Sequence, residues 1–559
     1  MRRGTLKSLW MGRAGGSTPG FDVCGVGRHF VGWHSNPITT LTTSPNGNSN
    51  QLQRLPPLSC VILVILKYTY CVITERLYEH TCHCGNIDTM NGYRRATWLV
   101  IALWFLLGVA TLNYNGPFYD EAIYVVAGQR TLEGHGYSDG YLVWFGGSLL
   151  WPVLSAIGFR VAGLIGTRFM ALLAGTISLA AMARASAHLF DEQAGFWSAL
   201  TFAVSGPFIA LARLGVYDGP ALAGLATSLW AITRLARTDN RVWLGVAALA
   251  FTIGMFSKYP LGIMLLPILG VLLVYHGRKA PVDVGIFGFI SLILTLALFL
   301  PAREQLSQIF VWQFANKPRF GVTLQMIGFL ILYLTALPAL LALGGWIAAR
   351  GRRRLGAVLW LSLLVWPAYH TITRSPISVS KHMVAGLLFA YPLVGMGLSQ
   401  LWRSWAGRLA VLAIVFSLAV LGGVQAYQLD HAWPDLREAS DYLVSHVQPG
   451  ERLLINESWQ FTMYLYLRGR IDSPWDVYDD YRISHGQSPV ALCDYDWVVD
   501  VKGSYTWPQD IQQQLDRCTN LEQVFSATSR VINQGTDLRY INYSVETVIW
   551  RNRSLSATR

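Results

Sequence analysis

The chain has 559 residues, 52% of them hydrophobic and only 14% charged, and its apolar residues fall in repeated blocks too long for the core of a soluble domain. That excludes an ordinary soluble enzyme and predicts a polytopic α-helical membrane protein. The formal net charge of +12 comes largely from Lys and Arg in short loops between the blocks, and no basic face carries interleaved stacking aromatics, so the excess reads as topology and sets nucleic acid aside as a partner.

Five of the seven cysteines, Cys24, Cys60, Cys71, Cys82 and Cys84, lie in the first 84 residues, whereas Met90 to Tyr427 has none. Cys82-His83-Cys84 lacks a second ligand pair at zinc spacing and is not read as a metal site. Met90 opens "MNGYRRATWLVIALWFLLGVA", where Arg94 and Arg95 precede an uninterrupted apolar run, the usual form of a first inside-to-outside helix. Residues 1–89 are therefore expected to be an over-extended start or a disordered leader. The alternative is a short extra span at 58–73, with Lys67 inside it.

From Trp98 the apolar blocks predict about 11 transmembrane helices: 97–113, 165–187, 193–212, 219–237, 242–257, 259–275, 282–301, 324–348, 356–373, 383–401 and 409–427. With alternating spans, Arg94/Arg95, Arg184, Arg234/Arg237/Arg241, Arg278/Lys279, Arg350/Arg352/Arg353/Arg354 and Arg403/Arg408 all fall on one side, which is then cytoplasmic. Counting 144–163 as a further span would put Arg350–Arg354 outside, so that stretch is expected to be helix lying on or dipping into the outer surface. The loop 114–164 then faces outward. Beyond the membrane domain 90–427, residues 428–559 change character. "ERLLINES", "DWVVDV" and "VETVIW" predict strands and "PQDIQQQLDRC" a helix, giving a small extracytoplasmic α/β domain in which Cys493 and Cys518 have a compartment that permits pairing.

This threading collects polar residues at one membrane surface. Asp120 and Glu121 follow the first span, Asp218 sits in the outward turn "ARLGVYDGPA", Lys258 in "MFSKYPLG", and Arg374, Lys381 and His382 in "TITRSPISVSKHM". The turns at 213–218 and 258–259 are short enough to hold their charges at the membrane boundary, where a charge requires a partner or a ligand. Acids facing bases across a bilayer-edge cavity suit a substrate that is part lipid and part polar, such as a sugar on a polyprenyl phosphate. Lys258, Arg374, Lys381 or His382 would bind the phosphate and stabilise charge on it as it leaves. One of Asp120, Glu121 or Asp218 would take the proton of an attacking acceptor hydroxyl. No cofactor is otherwise indicated, although Asp120 and Glu121 could instead share a divalent cation.

The stretches "YDEAIY", "RFMALLAGTISLAAMARASAHLFDEQAGFWSALTFAVSGPFIALARLGVYDGP", "SKYPLG" and "SKHMVAGLLFAYPL" resemble the bacterial polyprenyl-phosphate-sugar glycosyltransferases of the C superfamily. The similar branches are the dolichyl-phosphate-mannose protein mannosyltransferases (family 39) and the lipid A aminoarabinose transferases. The resemblance runs from about Trp98 to Tyr391 and implies a glycosyltransferase C type fold. It implies a catalytic role for Asp120 in a first-loop acidic motif, with Glu121 beside it. Asp218 matches the second acid, after a turn whose Arg213-Leu214 is reproduced here, with Tyr217 and Tyr124 in support. Lys258 matches the lysine of a Thr/Ser-Lys-Gly element in which Tyr259 replaces the glycine, and Lys381-His382 resemble a basic lipid-phosphate element. Many relatives carry a Lys-Pro element about thirty residues after the first acid; here "YLVWFGGSLLWPVLS" has no lysine.

The expected function is transfer of a sugar from a polyprenyl-phosphate donor to a protein, lipid or polysaccharide acceptor on the outer face of the cytoplasmic membrane. The rivals are a lipid-linked glycan transporter or flippase, and an oligosaccharide polymerase or ligase using a diphosphate-linked donor.

Overall fold

The computed structural model describes residues 85–135, 150–303, 306–307, 324–376, 378–484, 486–504, 507–534 and 540–556. Residues 1–84, with most of the expected leader, the extra span at 58–73 and Cys82-His83-Cys84, lie outside the described residues, as do 136–149 of the expected outward loop.

Apolar sequence with few breakers folds as helix from the first described residue to Asp430: α1 (Gly85–Ala110), α2 (Tyr119–Leu132), α3 (Trp151–Leu189), α4 (Glu192–Ala203), α5 (Gly206–Arg213), α6 (Asp218–Thr238), α7 (Val242–Ser257), α8 (Leu265–Tyr275), α9 (Ala280–Phe299), α10 (Leu324–Ala348), α11 (Arg353–Leu363), α12 (Val365–Thr373), α13 (Val379–Leu401) and α14 (Trp405–Asp430). Helix occupies each of the eleven expected positions, but fewer meet the length and apolarity of a span. Among the described residues seven helices qualify, and α4 with α5, bent by 69°, makes an eighth if the pair is one span. The shortfall has local causes. α6 has 21 residues but is not apolar enough, α7 has only 16, and the apolar stretch Tyr259–Tyr275 opens with a 3-10 turn over Tyr259–Met264.

α3 is two helices joined at a reversal. Ala162 leaves helical geometry and Gly163 adopts φ +61°, a conformation that disfavours a side chain. The arms fold together, with Thr167 Oγ1 donating to the Ser155 carbonyl at 2.8 Å. This separates the stretch ending at 163 from the helix that follows it.

α6 and α7 are antiparallel neighbours packed through small residues. A Cβ on Gly224 would lie 2.7 Å from the Gly254 Cα, so the two backbones meet where no side chain fits. Because the helices turn at Asp239-Asn240, Asp218 at the start of α6 and Lys258 just after α7 come to the same end.

After Asp430 the chain forms α15 (Arg437–His446), β1 (Leu453–Ile455), α16 (Ser458–Leu467), β2 (Val477–Tyr478), β3 (Trp497–Lys502), β4 (Leu521–Gln534) and β5 (Tyr540–Asn552). The five-stranded sheet has the order β2-β1-β3-β5-β4, with β1 parallel to β2 and β3, and β5 antiparallel to β3 and β4. Alternation sends Leu453, Ile455, Val499 and Val501 to one apolar cluster with Leu443 and Phe461, and Leu454 and Val498 to another with Trp507 and Ile511. Both faces are covered, so β1 is wholly apolar and β3 is apolar up to Asp500. Cys493 and Cys518 are disulfide-bonded across 25 residues, which adds about 3 kcal/mol by closing that loop in the unfolded chain.

Asp500 on β3 is buried, and burial pushes its carboxyl up from the ordinary 3.8 to about 6, although Lys502 and a 2.6 Å hydrogen bond from Asn456 Nδ2 oppose the shift. A raised carboxyl favours the folded state in its protonated form, so stability falls as pH rises through about 6, by on the order of 2–3 kcal/mol. Asp500→Asn should unfold at higher temperature than the parent at pH 7.5 and lose that advantage by pH 4; an advantage equal at both pH values would contradict the assignment.

Candidate functional site

The first-loop acids have separate environments. Glu121 is fully buried and paired with Arg168, also fully buried, by two parallel bonds of 2.9 Å. Its oxygens also accept the N–H groups of Phe118 and Gly215, both at 2.7 Å. The guanidinium donates in turn to the carbonyls of Leu112, Asn115 and Gly116 at 2.8–3.0 Å and lies over the Tyr114 ring at 4.2 Å. One desolvated ion pair thus ties the segment entering α2 to the turn entering α6.

Those are the segments that carry Asp120 and Asp218. Asp120, in the first turn of α2 and 13% exposed, accepts from Lys381 Nζ of α13 at 2.6 Å. Asp218 pairs with Lys258 through Oδ1, whereas its buried Oδ2 has no hydrogen-bond partner among the described residues. Lys258 Nζ also stands 5.4 Å from the centre of the Tyr217 ring, which packs 4.9 Å from that of Tyr124.

Asp218, Lys258, Lys381 and His382 line one small pocket, walled by apolar groups from Leu211, Leu261 and Trp366. His382 stacks on Trp366 with ring centres 4.0 Å apart and meets His370 through its Nδ1, 2.9 Å from His370 Nε2. Two acids, two lysines and an imidazole thus gather where α2, α6, α7 and α13 meet. In this low-dielectric setting the lysines can hold an anion if the carboxylates yield them.

Other expected residues fall elsewhere. Glu121 neither lines the pocket nor has a lone pair to spare, because Arg168 and two backbone amides occupy both oxygens; this corrects its reading as a catalytic candidate and as half of a shared cation site. Among the described residues no group of three or more His, Cys, Asp or Glu is arranged to hold a metal ion. Arg374, read as a phosphate contact, is exposed past the end of α12, where φ +49° turns its backbone away from the helix, and it does not line the pocket. Arg213 pairs with buried Asp430, reaches Thr111 Oγ1 at 3.0 Å and lies 5.3 Å from the Tyr114 ring, so it braces helix ends. Reading the sequence missed Arg168, His370, Trp366 and Asp430. Arg168 had a usable signal, a cation inside an apolar span; the others follow only from packing.

The family described as dolichyl-phosphate-mannose-protein mannosyltransferase matches residues 149–303. No curated protein matches the sequence. Among solved structures, the chain is similar to ArnT from Cupriavidus metallidurans bound to undecaprenyl phosphate, with a TM-score of 0.57 and 13% identity over 81% of this chain and 97% of that one. It is also similar to the arabinofuranosyltransferase AftD from Mycobacteria (TM-score 0.51, 15% identity, 82% of this chain and 40% of that one). A third is the oligosaccharyltransferase AglB from Archaeoglobus fulgidus in complex with an inhibitory peptide and a dolichol-phosphate (TM-score 0.50, 11% identity, 80% and 74%). The chain has the glycosyltransferase C fold, and the resemblance carried by its motifs stands.

Proposed function

We propose that the chain transfers a sugar from a polyprenyl-phosphate-linked donor to an acceptor hydroxyl at the outer face of the cytoplasmic membrane. The observation that carries the reading is one pocket lined by the Asp218–Lys258 pair and by Lys381, with Asp120 behind it as the partner of Lys381. The family match and the lipid phosphates named with two of the similar structures support the donor class.

The donor phosphate would draw Lys258 and Lys381 from their carboxylates, in exchange for a more highly charged partner with more acceptor oxygens. Asp120, relieved of Lys381, would be left as the base for the acceptor hydroxyl, while the lysines balance the charge that develops on the departing phosphate. Asp218, whose Oδ2 is buried without a partner among the described residues, would hold a hydroxyl of the sugar or acceptor.

The sidedness has two supports. Asp239 lies roughly 30 Å along α6 from Asp218, and Arg241, Arg278, Lys279 and Arg350–Arg354 belong to the turns on the Asp239 end, as a cytoplasmic surface would require. The disulfide belongs to the segment tied to the pocket end by Asn115, which donates to the carbonyls of Asp430 and Trp433 at 3.0 and 3.1 Å, and disulfides form in oxidising compartments.

Lys258→Ala should raise the donor concentration needed for half-maximal transfer by about tenfold or more, as expected for losing a charge-assisted contact to phosphate. Steady-state kinetics against donor would check it, and an unchanged donor dependence would remove Lys258 from phosphate binding. Release of a lipid monophosphate is expected, and release of a diphosphate would favour a polymerase or ligase.

A further inference from the structure

His370 lies on α12, fully buried, and the transfer reading assigns it nothing. Its Nδ1 is 2.7 Å from the Ser375 carbonyl, five residues on, a contact made possible by the left-handed backbone of Arg374. A carbonyl only accepts, so His370 Nδ1 carries the hydrogen and Nε2 of the neutral ring is an acceptor. Nε2 faces His382 Nδ1 at 2.9 Å, and that nitrogen must donate. The remaining ring nitrogen of His382, Nε2, therefore has its lone pair in the neutral ring and gains an N–H on protonation. Trp366 stacks on the ring with centres 4.0 Å apart and holds its plane.

We propose that His370 is a positioning residue which, anchored on the Ser375 carbonyl, fixes the tautomer of His382 so that its Nε2 takes a proton when a phosphate monoester occupies the pocket. This rests on the transfer reading for its ligand class. In that reaction the bond from the sugar C1 to the phosphate oxygen breaks and its electron pair stays on the phosphate. The phosphate passes from a diester with one negative charge to a monoester with two. C1 bonds to the acceptor oxygen, whose proton goes to Asp120, and His382, protonated from solvent, donates Nε2–H to the new charge.

The groups around His382 make the response specific to the ligand. Lys381 precedes it on α13, Asp120 pairs with that lysine, Asp218 and Lys258 share the pocket, and His370 and Tyr369 face it from α12. Two carboxylates and two ammonium groups cancel in the empty pocket, so the field that draws a proton to His382 comes from the phosphate. By linkage, protonation tightens binding of the monoester to the same extent.

The test uses the purified full chain and a short-chain polyprenyl phosphate monoester, with affinity measured from pH 8 to pH 6. Relative to His382→Gln, the parent should gain about tenfold in affinity over that range. His370→Leu should lose the gain, whereas His370→Gln, whose Oε1 can accept from His382 Nδ1, should retain most of it. Parallel pH curves for the parent and His370→Leu, equal loss in both His370 variants, or no binding of the monoester by the parent would each overturn the proposal. Transfer assayed on the same preparations separates the two readings. The predicted pH pattern without transfer sinks the transferase and leaves the histidine pair, and transfer with parallel pH curves does the reverse.

Discussion

Asp120→Asn is expected to abolish sugar transfer, lowering turnover by on the order of a thousandfold or more, while the protein still inserts and folds. Asparagine keeps the size of the side chain and a carbonyl oxygen to accept from Lys381, but it cannot take the acceptor proton. Nor does it carry the fold, because the segment entering α2 is held by Glu121 and Arg168 and not by Asp120. The check is single-turnover transfer by purified parent and variant with matched thermal unfolding. Turnover near the parent's would remove Asp120 from the chemistry.

Arg168→Met should have the largest effect on stability. It leaves the Glu121 carboxylate fully buried with no counter-ion and strips three backbone carbonyls of their donor, a loss of roughly 3–5 kcal/mol. The expected result is poor insertion and a sharp drop in unfolding temperature. Arg168→Met with Glu121→Gln should recover part of that loss, since the uncompensated charge is gone. An unfolding temperature unchanged in Arg168→Met would show that the pair does not hold the loops together.

The contrast between Asp120 and Glu121 marks the limit of reading the sequence. Two adjacent carboxylates after an apolar run signal a charged membrane edge, but adjacency hides which way each side chain points. On a helix, neighbours in sequence lie about 100° apart, so one acid reaches α13 while the other turns inward to Arg168. Asp218 and Lys258 were legible because the turns that carry them are too short to move their charges away from the membrane boundary. Lys381 and His382 were legible as bases beside an apolar helix; the partners that define their roles, Asp120 and His370, lie 261 and 12 residues away and are joined only by packing. The helices were legible from apolar length, whereas the number that can cross a membrane was not, because α6, α7, α8 and the bent α4–α5 pair fall short of the limit in apolarity, length or straightness. In the sheet, β1, β3 and β5 were legible as apolar runs. The two-residue β2 and the mixed polar sequence of β4 carry no comparable signal.

The central claim is that this pocket moves a sugar from a lipid phosphate, and mass spectrometry of polyprenyl-phosphate-linked sugars tests it most directly. Cells would carry the parent protein, Asp120→Asn or neither, with insertion of both proteins verified. A monophosphate-linked glycan that accumulates without the protein and with Asp120→Asn, and is consumed when the parent is present, is the predicted result and identifies the donor. Lipid-linked sugars identical in all three would contradict the claim.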